Sequence, residues 1–279
     1  MAVVAAFISP LLFSVADFAG GFATRRTPAR KVVLFSQTAG LVTVIAVAAL
    51  AVAESVSPAD HGWGAAGGIL GMIGLLFFYQ GMADRRVSVV SPLAGLTGAG
   101  VPILFGLVTG ERPRLMAAIG VLLALPPILL ISTMPAASWE GSLWRGGAMY
   151  GLAGGAGFGG CFVLISRAAS GSGLWPLVSA RATTVGVMGL LLIVTRSIRP
   201  PPTVQLPLIV AVGVTDVLAN MAFLIATRGT LLVLAAVITA LYPASTLLLA
   251  RVVLGERTSP VQRLGLSFAA AAVVAIALG

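Results

Sequence analysis

The chain has 279 residues, of which 58% are hydrophobic and 9% are charged, and its formal net charge is +9. Its mean hydropathy is +1.07. Soluble globular domains are far less apolar, and disordered chains are polar and highly charged, so this composition excludes both classes and indicates a protein surrounded by lipid.

Ten apolar stretches are long enough to cross a bilayer, which takes about 17 to 25 residues per helix. The first contains Asp17 and is followed directly by Arg25 and Arg26, so we interpret it as a retained helix rather than a cleaved signal peptide. We therefore predict an all-α, multi-pass integral protein of the cell membrane. The predicted spans are 1–22, 32–53, 63–83, 87–109, 115–134, 146–165, 174–195, 204–225, 230–250 and 261–279.

The spacing of these spans indicates a duplication. The gaps are 9, 9, 3 and 5 residues in the first half and 8, 8, 4 and 10 in the second, and the Gly-Glu-Arg motif at 110–112 recurs 145 residues later at 255–257. Because five is an odd number of helices, the second half must insert upside down relative to the first, as in many secondary transporters. We predict two inverted five-helix repeats, 1–134 and 146–279, joined by a linker at 135–145.

The basic residues mark loops rather than a binding surface. Fifteen of the seventeen lie between predicted spans, and Arg263 lies at the start of the last span and is counted with the gap before it, so we expect no nucleic-acid partner. The odd-numbered gaps hold twelve of them and the even-numbered gaps hold four, so the positive-inside rule places both termini outside the cytoplasm. The four in the even-numbered gaps are Arg112, Arg114, Arg167 and Arg228.

Three charged residues lie in the interior of predicted spans, away from the span ends: Asp17, Arg181 and Asp216. A charge at mid-bilayer costs about 2.5 to 3.5 kcal/mol on insertion scales, so each is expected to face a cavity or a partner. In a functional interpretation, Asp17 or Asp216 binds a proton or cation, and Arg181 holds an anionic group of a substrate. In a structural interpretation, Arg181 pairs with one aspartate and stabilises the bundle. Both interpretations stay open for Arg181 and Asp216, and the functional one is favoured for Asp17.

Further polar residues are candidates for binding a substrate. Asn220 lies one helical turn after Asp216, so both side chains share a helix face. The alternative to substrate binding is a structural role in hydrogen bonds between helices, each of which stabilises a membrane protein by only about 0.6 kcal/mol. The other candidates are Gln37, which aligns with Arg181 when the halves are compared, and Tyr79 and Gln80 at the end of the third span.

Residues for enzyme chemistry are scarce. Cys161 is the single cysteine and His61 is the single histidine. Each therefore lacks the second cysteine or histidine that a disulfide, a metal site or a catalytic dyad would need. Gly155, Gly157 and Gly160 have nucleotide-fingerprint spacing, but they lie inside an apolar helix, where close helix packing explains them better. We expect no enzyme activity, no cofactor, no metal and no ATP.

Two stretches carry a recognisable pattern. One comprises Leu241-Tyr242-Pro243-Ala244, Ala250-Arg251, Leu254-Gly255-Glu256-Arg257, Gln262 and Gly265, and the other comprises Ser14, Asp17-Phe18, Gly21 and Arg25-Arg26. With the ten spans and the duplication, they resemble EamA-type members of the drug/metabolite transporter (DMT) superfamily. The first half departs from the pattern, because Gly98 stands opposite Pro243 and Thr109 replaces the leucine of the Leu-Gly-Glu form.

The resemblance implies secondary active transport of a small organic metabolite or drug-like solute. Alternating access would occur around a mid-membrane cavity lined by helices 1, 2, 3, 7, 8 and 9. Tyr242 and Pro243 join the substrate-binding candidates, Asp17 and Asp216 are the candidates for proton coupling, and Glu111 and Glu256 are interpreted as structural caps or salt-bridge partners. Membrane lipid is the other expected partner.

Several points stay open at this stage. The family habit of cytoplasmic termini conflicts with the charge count, which we favour slightly, and a homodimer is neither required nor excluded. The rival functions are a lipid flippase and a non-transporting membrane accessory subunit. An intramembrane enzyme acting on lipid is disfavoured, because the spans contain no histidine and only two carboxylates.

Overall fold

The computed structural model describes residues 2–51, 53–83, 87–131, 147–241 and 260–278, and within them it is helical and contains no strand. The predicted all-α class is therefore confirmed for the described part of the chain. Two short 3₁₀ turns, Ser170–Ser172 and Thr203–Gln205, precede later helices. The helices are α1 (Ala2–Thr24), α2 (Ala29–Leu50), α3 (Pro58–Ala83), α4 (Val87–Val108), α5 (Leu115–Ile131), α6 (Gly147–Ser166), α7 (Trp175–Val194), α8 (Leu206–Gly229), α9 (Leu232–Ala240) and α10 (Pro260–Leu278).

The outer surface of the bundle is strongly apolar. Leu50, Val108 and Val194 are 87%, 86% and 72% exposed, and many other large apolar side chains also face outward. Exposure of such a surface to water would be unfavourable, whereas contact with lipid chains is not. Six helical segments of the described residues have the length and hydropathy of membrane spans: Val4–Thr24, Ala29–Leu50, Pro58–Ala83, Gly147–Ser166, Trp175–Val194 and Thr203–Gly229. The count of ten spans stays a prediction.

Helices of the first half pack mainly against helices of the second half. α1 lies along α8 and α3 lies along α6. In the first pair the Ser9 hydroxyl donates a hydrogen bond to the Ala219 carbonyl at 3.1 Å. In the second pair a Cβ on Gly74 would lie 2.9 Å from the Gly154 carbonyl oxygen. Ser9 and Gly154 are 145 residues apart, and so are Gly74 and Ala219.

A second pair of helix crossings follows nearly the same spacing, because Gly68 and Gly213 are 145 residues apart and Ser36 and Ala180 are 144 apart. α3 meets α7 where Gly68 lies against the backbone of Ala180, and α8 meets α2 where Gly213 lies against the backbone of Ser36. A side chain at either glycine would overlap the facing carbonyl, so glycine permits both close approaches. The next residues along α2 and α7 are Gln37 and Arg181, and the two crossings therefore hold both side chains at the centre of the bundle.

The glycines of α6 serve helix packing. Gly155 lies against the backbone of Ala94, and Gly157 lies against Gly74. Gly160 faces the side chain of Leu70. The close-packing interpretation of the fingerprint-like glycines is confirmed.

Glu111 links the two halves at one end of the bundle. Its Oε1 accepts a hydrogen bond from the Leu232 amide, and its Oε2 accepts one from the Val233 amide, each at 2.9 Å. These amides belong to the first turn of α9, whose N–H groups have no partner within their own helix. The interpretation of Glu111 as a cap is confirmed, whereas Glu256 lies outside the described residues.

Candidate substrate cavity

A cavity lies between the two halves at the centre of the bundle. The space between its atoms is about 820 Å³ and includes the part that opens outward. Its lining comes from α1, α2, α3, α4, α6, α7, α8 and α9, so α4 and α6 join the six helices expected from the sequence. Its walls are mainly apolar or small: Phe13, Gly68, Gly71, Met72, Leu75, Ala94, Gly95, Gly98, Ala99, Phe158, Phe162, Ile165, Leu177, Ala180 and Ala236.

Three buried polar side chains form a linked group in the cavity wall. The Arg181 guanidinium lies 2.8 Å from Asp216 Oδ2 in an ion pair. The Gln37 amide nitrogen donates to the same oxygen at 3.1 Å, and Arg181 also donates to Gln37 Oε1. The three residues are between 2% and 8% exposed. Because a buried charge is costly without a partner, this group neutralises Arg181 within the protein.

Asn220 contacts Asp216 from the next turn of α8. Its amide nitrogen donates to the Asp216 carbonyl at 2.8 Å and lies 3.3 Å from Asp216 Oδ1. Both side chains line the cavity, as expected from their spacing of one helical turn. Asn220 therefore helps to orient the carboxylate that pairs with Arg181.

Asp17 is the uncompensated charge among the described residues of the cavity lining. It is partly exposed and reaches the cavity from α1, and among the described residues no hydrogen bond or ion pair engages its carboxylate. Phe13 lies one turn earlier on the same helix, with its ring 5.7 Å from that of Phe162. Since Arg181 and Asp216 cancel each other, the described lining has a formal charge of −1 when Asp17 is ionised.

The other sequence candidates lie elsewhere. Tyr79 is 1% exposed and packs against Gly20 of α1, outside the cavity lining. Gln80 is exposed and does not line the cavity either. Tyr242 and Pro243 lie outside the described residues. The structure thus brings Asp17, Gln37, Arg181, Asp216 and Asn220 together at one cavity and does not bring Tyr79 and Gln80 to it.

Three lining residues were missed by reasoning from the sequence. Thr184 donates to the Gly68 carbonyl at 2.9 Å and so ties α7 to α3. Thr239 of α9 has a buried hydroxyl without a hydrogen-bond partner among the described residues, and Arg181 has a buried Nε that likewise lacks one. Cys161 is buried and also lines the cavity. A single hydroxyl or thiol in an apolar span is common in helix packing, so the sequence held no signal that set these residues apart.

Metal ligands are not assembled in the described part of the chain. No group of three or more histidine, cysteine, aspartate or glutamate residues is placed there to hold a metal ion. The polar atoms at the cavity are instead suited to hydrogen bonding and to charge pairing.

The apolar outer surface and the long helices around a central cavity define a multi-pass integral membrane protein. Residues 145–278 match the EamA-like transporter family. The second half of the chain therefore matches a family of transporters, which is consistent with the DMT superfamily and confirms the resemblance expected from the sequence.

The fold is shared over the whole length with a solved structure. A chain described as "Crystal structure of protein" superposes with a TM-score of 0.78 at 18% sequence identity, over 99% of this chain and 96% of that chain. At this identity the likeness concerns the fold alone. A comparison with curated protein sequences found no match.

Proposed function

We propose that the protein is a secondary active transporter that moves a small organic solute across the cell membrane by alternating access, with Asp17 as its proton-binding or cation-binding group. The observation that carries the proposal is a central cavity whose lining contains one unpaired carboxylate among the described residues. A carboxylate inside a membrane bundle is unfavourable unless water, a proton or a cationic ligand reaches it. A proton or cation bound there could couple an ion gradient to solute movement.

The contacts between the halves support the inverted five-helix repeats, 1–134 and 146–279, that alternating access would use. The contact of Ser9 with Ala219 and that of Gly74 with Gly154 exchange with each other when every residue is shifted by 145 positions. Two repeats with interchangeable contacts can exchange conformations, so that the cavity opens first to one side and then to the other. The linker at 135–145 lies outside the described residues.

The cavity favours an amphipathic or aromatic solute. Its apolar walls suit a hydrophobic body, while Asn220, Thr239 and Arg181 supply hydrogen-bonding groups. Arg181 is already paired with Asp216, so an anionic solute would have to replace that carboxylate. We therefore assign Gln37, Arg181 and Asn220 to solute contact through hydrogen bonds, and we assign charge binding to Asp17. Asp216 remains the second candidate for proton coupling.

Proteoliposome transport tests the proposal. A thermal-shift screen of metabolites with the detergent-solubilised protein identifies a stabilising solute, because a ligand of the folded state raises its stability. Uptake of that solute is then measured with and without a pH gradient. Asp17→Asn should abolish stimulation by the gradient, whereas Glu54→Gln, at an exposed carboxylate, should leave it intact.

Two results would contradict parts of the proposal. If Asp17→Asn and Asp216→Asn both retain gradient-driven uptake, proton coupling through these carboxylates is wrong. If the vesicles scramble fluorescent lipid but take up no solute, the protein is a flippase rather than a solute transporter.

A further inference from the structure

The protein has a second, open groove whose described lining shares no residue with the central cavity. Three arginines line it: Arg112 and Arg114 between α4 and α5, and Arg228 near the end of α8. The remaining walls are mainly small or apolar and come from the starts of α5 and α9 and the end of α10. They consist of Ala117, Gly229, Thr230, Leu231, Leu234 and Ile276.

The arginines of this groove are not neutralised by its lining, which contains no acidic residue within the described part of the chain. Arg112 donates to the backbone carbonyls of Leu107 and Glu111, each at 3.0 Å. Arg114 is exposed, and its side chain has no hydrogen bond or ion pair with any described residue. The groove therefore presents cationic groups whose charge no carboxylate of its described lining cancels.

Carboxylates near the groove are already engaged. The Glu111 side chain accepts the two amides at the start of α9. Asp60 attracts Arg228 electrostatically, but its own oxygens accept hydrogen bonds from Ser57 and Ala169. Arg228 itself donates to the Gly173 carbonyl at 2.6 Å, and its buried Nε has no hydrogen-bond partner among the described residues.

The position of the arginines is also unusual for this chain. The even-numbered gaps contain only four of its basic residues, and three of these four line this one groove. The positive-inside rule explains the excess of basic residues in the other set of gaps. It does not explain why the few on the poorer side gather at one place.

We propose that the groove binds the phosphate headgroup of an anionic phospholipid, with an acyl chain along Leu231, Leu234 and Ile276. Arginine pairs well with phosphate oxygens, and basic pockets between membrane helices bind anionic headgroups. A free phosphate ion would match the arginines but would leave the apolar wall unused. Phosphate next to apolar surface is the chemistry of a lipid.

Native mass spectrometry of the purified protein tests the site with named lipids. The protein in detergent is titrated with phosphatidylglycerol or with phosphatidylcholine of the same acyl chains, and glycerol phosphate serves as the soluble competitor. We expect phosphatidylglycerol to bind more tightly than phosphatidylcholine and to resist an equimolar amount of glycerol phosphate. Equal binding of the two lipids would overturn the proposal, and displacement by glycerol phosphate would assign the site to a free phosphate instead.

Charge-removing variants locate the binding. Arg112→Gln/Arg114→Gln should weaken phosphatidylglycerol binding about thirtyfold, given the usual attraction of two basic residues to an anionic lipid surface. Arg25→Gln/Arg26→Gln, which removes two exposed charges elsewhere, should have no effect. Arg114→Gln alone should weaken binding about fivefold. Because the Arg114 side chain has no hydrogen bond or ion pair with a described residue, that variant is decisive even if the double variant does not fold, and unchanged binding in it would refute the site.

Discussion

The Arg181–Asp216 pair allows its structural contribution to be separated from solute binding. In Asp216→Asn, the Arg181 guanidinium, which is 8% exposed, would lose its only carboxylate partner among the described residues. Gln37 would lose a charged acceptor in the same change. Leaving one charge of a buried pair without its partner costs about 3–5 kcal/mol, so we expect the free energy of unfolding to fall by that amount.

Removing both charges should behave differently. Arg181→Met/Asp216→Leu replaces the pair by apolar side chains of similar size, which is often neutral or even stabilising. The double variant should therefore be more stable than Asp216→Asn. In a double-mutant cycle the two positions should show strong coupling, because each single change exposes the cost of the partner left behind.

Unfolding in mixed micelles of increasing sodium dodecyl sulfate measures these differences, with Glu54→Gln as the exposed control. The reasoning is refuted if Asp216→Asn lies within about 0.5 kcal/mol of the parent protein, the usual range for a harmless surface substitution. It is also refuted if the double variant is less stable than either single variant. Solute binding by a folded double variant would show that Arg181 is dispensable for recognition.

Three further predictions follow from named contacts. Gly213→Ala should lower the free energy of unfolding by about 1–3 kcal/mol, because the added Cβ would overlap the Ser36 backbone. Gly186→Ala, whose Cβ would meet open space, should leave the melting temperature unchanged in the same thermal-melting assay. Glu111→Ala should remove the cap of α9 and destabilise the protein by about 1–2 kcal/mol, and no change in unfolding would disprove that role. Cys161 should react with a small thiol reagent more slowly when the cavity-binding solute is present, and equal rates would place the solute elsewhere.

Asymmetry of the cavity distinguishes the two halves chemically. Shifting Asp216 and Asn220 by 145 positions leads to Gly71 and Leu75, which also line the cavity. The second half thus carries polar groups where the first half carries small or apolar ones. The contacts between helices are repeated in both halves, while the chemistry at these cavity positions is confined to one of them.

The helices were largely predictable because a membrane span is a local property of the chain. An apolar segment must be long enough to cross the lipid and must satisfy its own backbone hydrogen bonds, so length and hydropathy locate it without knowledge of its neighbours. The predicted segment 146–165 corresponds to Gly147–Ser166, and 174–195 corresponds to Trp175–Val194. The packing role of the glycines in α6 was also predictable from local sequence, because the apolar residues around them indicate a membrane helix rather than a nucleotide-binding loop.

The candidate site was only partly predictable. The energetic cost of charge in lipid singled out Asp17, Arg181 and Asp216, and all three line the cavity. The positions of Tyr79 and Gln80 outside the cavity were not predictable in this way. They are adjacent on α3, yet the first is buried and the second is exposed, because successive residues of a helix point about 100° apart.

Composition, span length and spacing are enough to predict a lipid-embedded helical bundle, a duplication and the charged residues that must be kept away from lipid. Which of those charges are paired depends on how the helices pack. The approach of α2 to α8 at Gly213 and of α7 to α3 at Gly68 sets the distances among Gln37, Arg181 and Asp216. Those distances depend on contacts between residues 112 and 177 positions apart in the chain, and a local pattern cannot encode them. Asp17 is left as the unpaired carboxylate of the described cavity because α1 brings it to the lining without bringing it within hydrogen-bonding distance of Arg181.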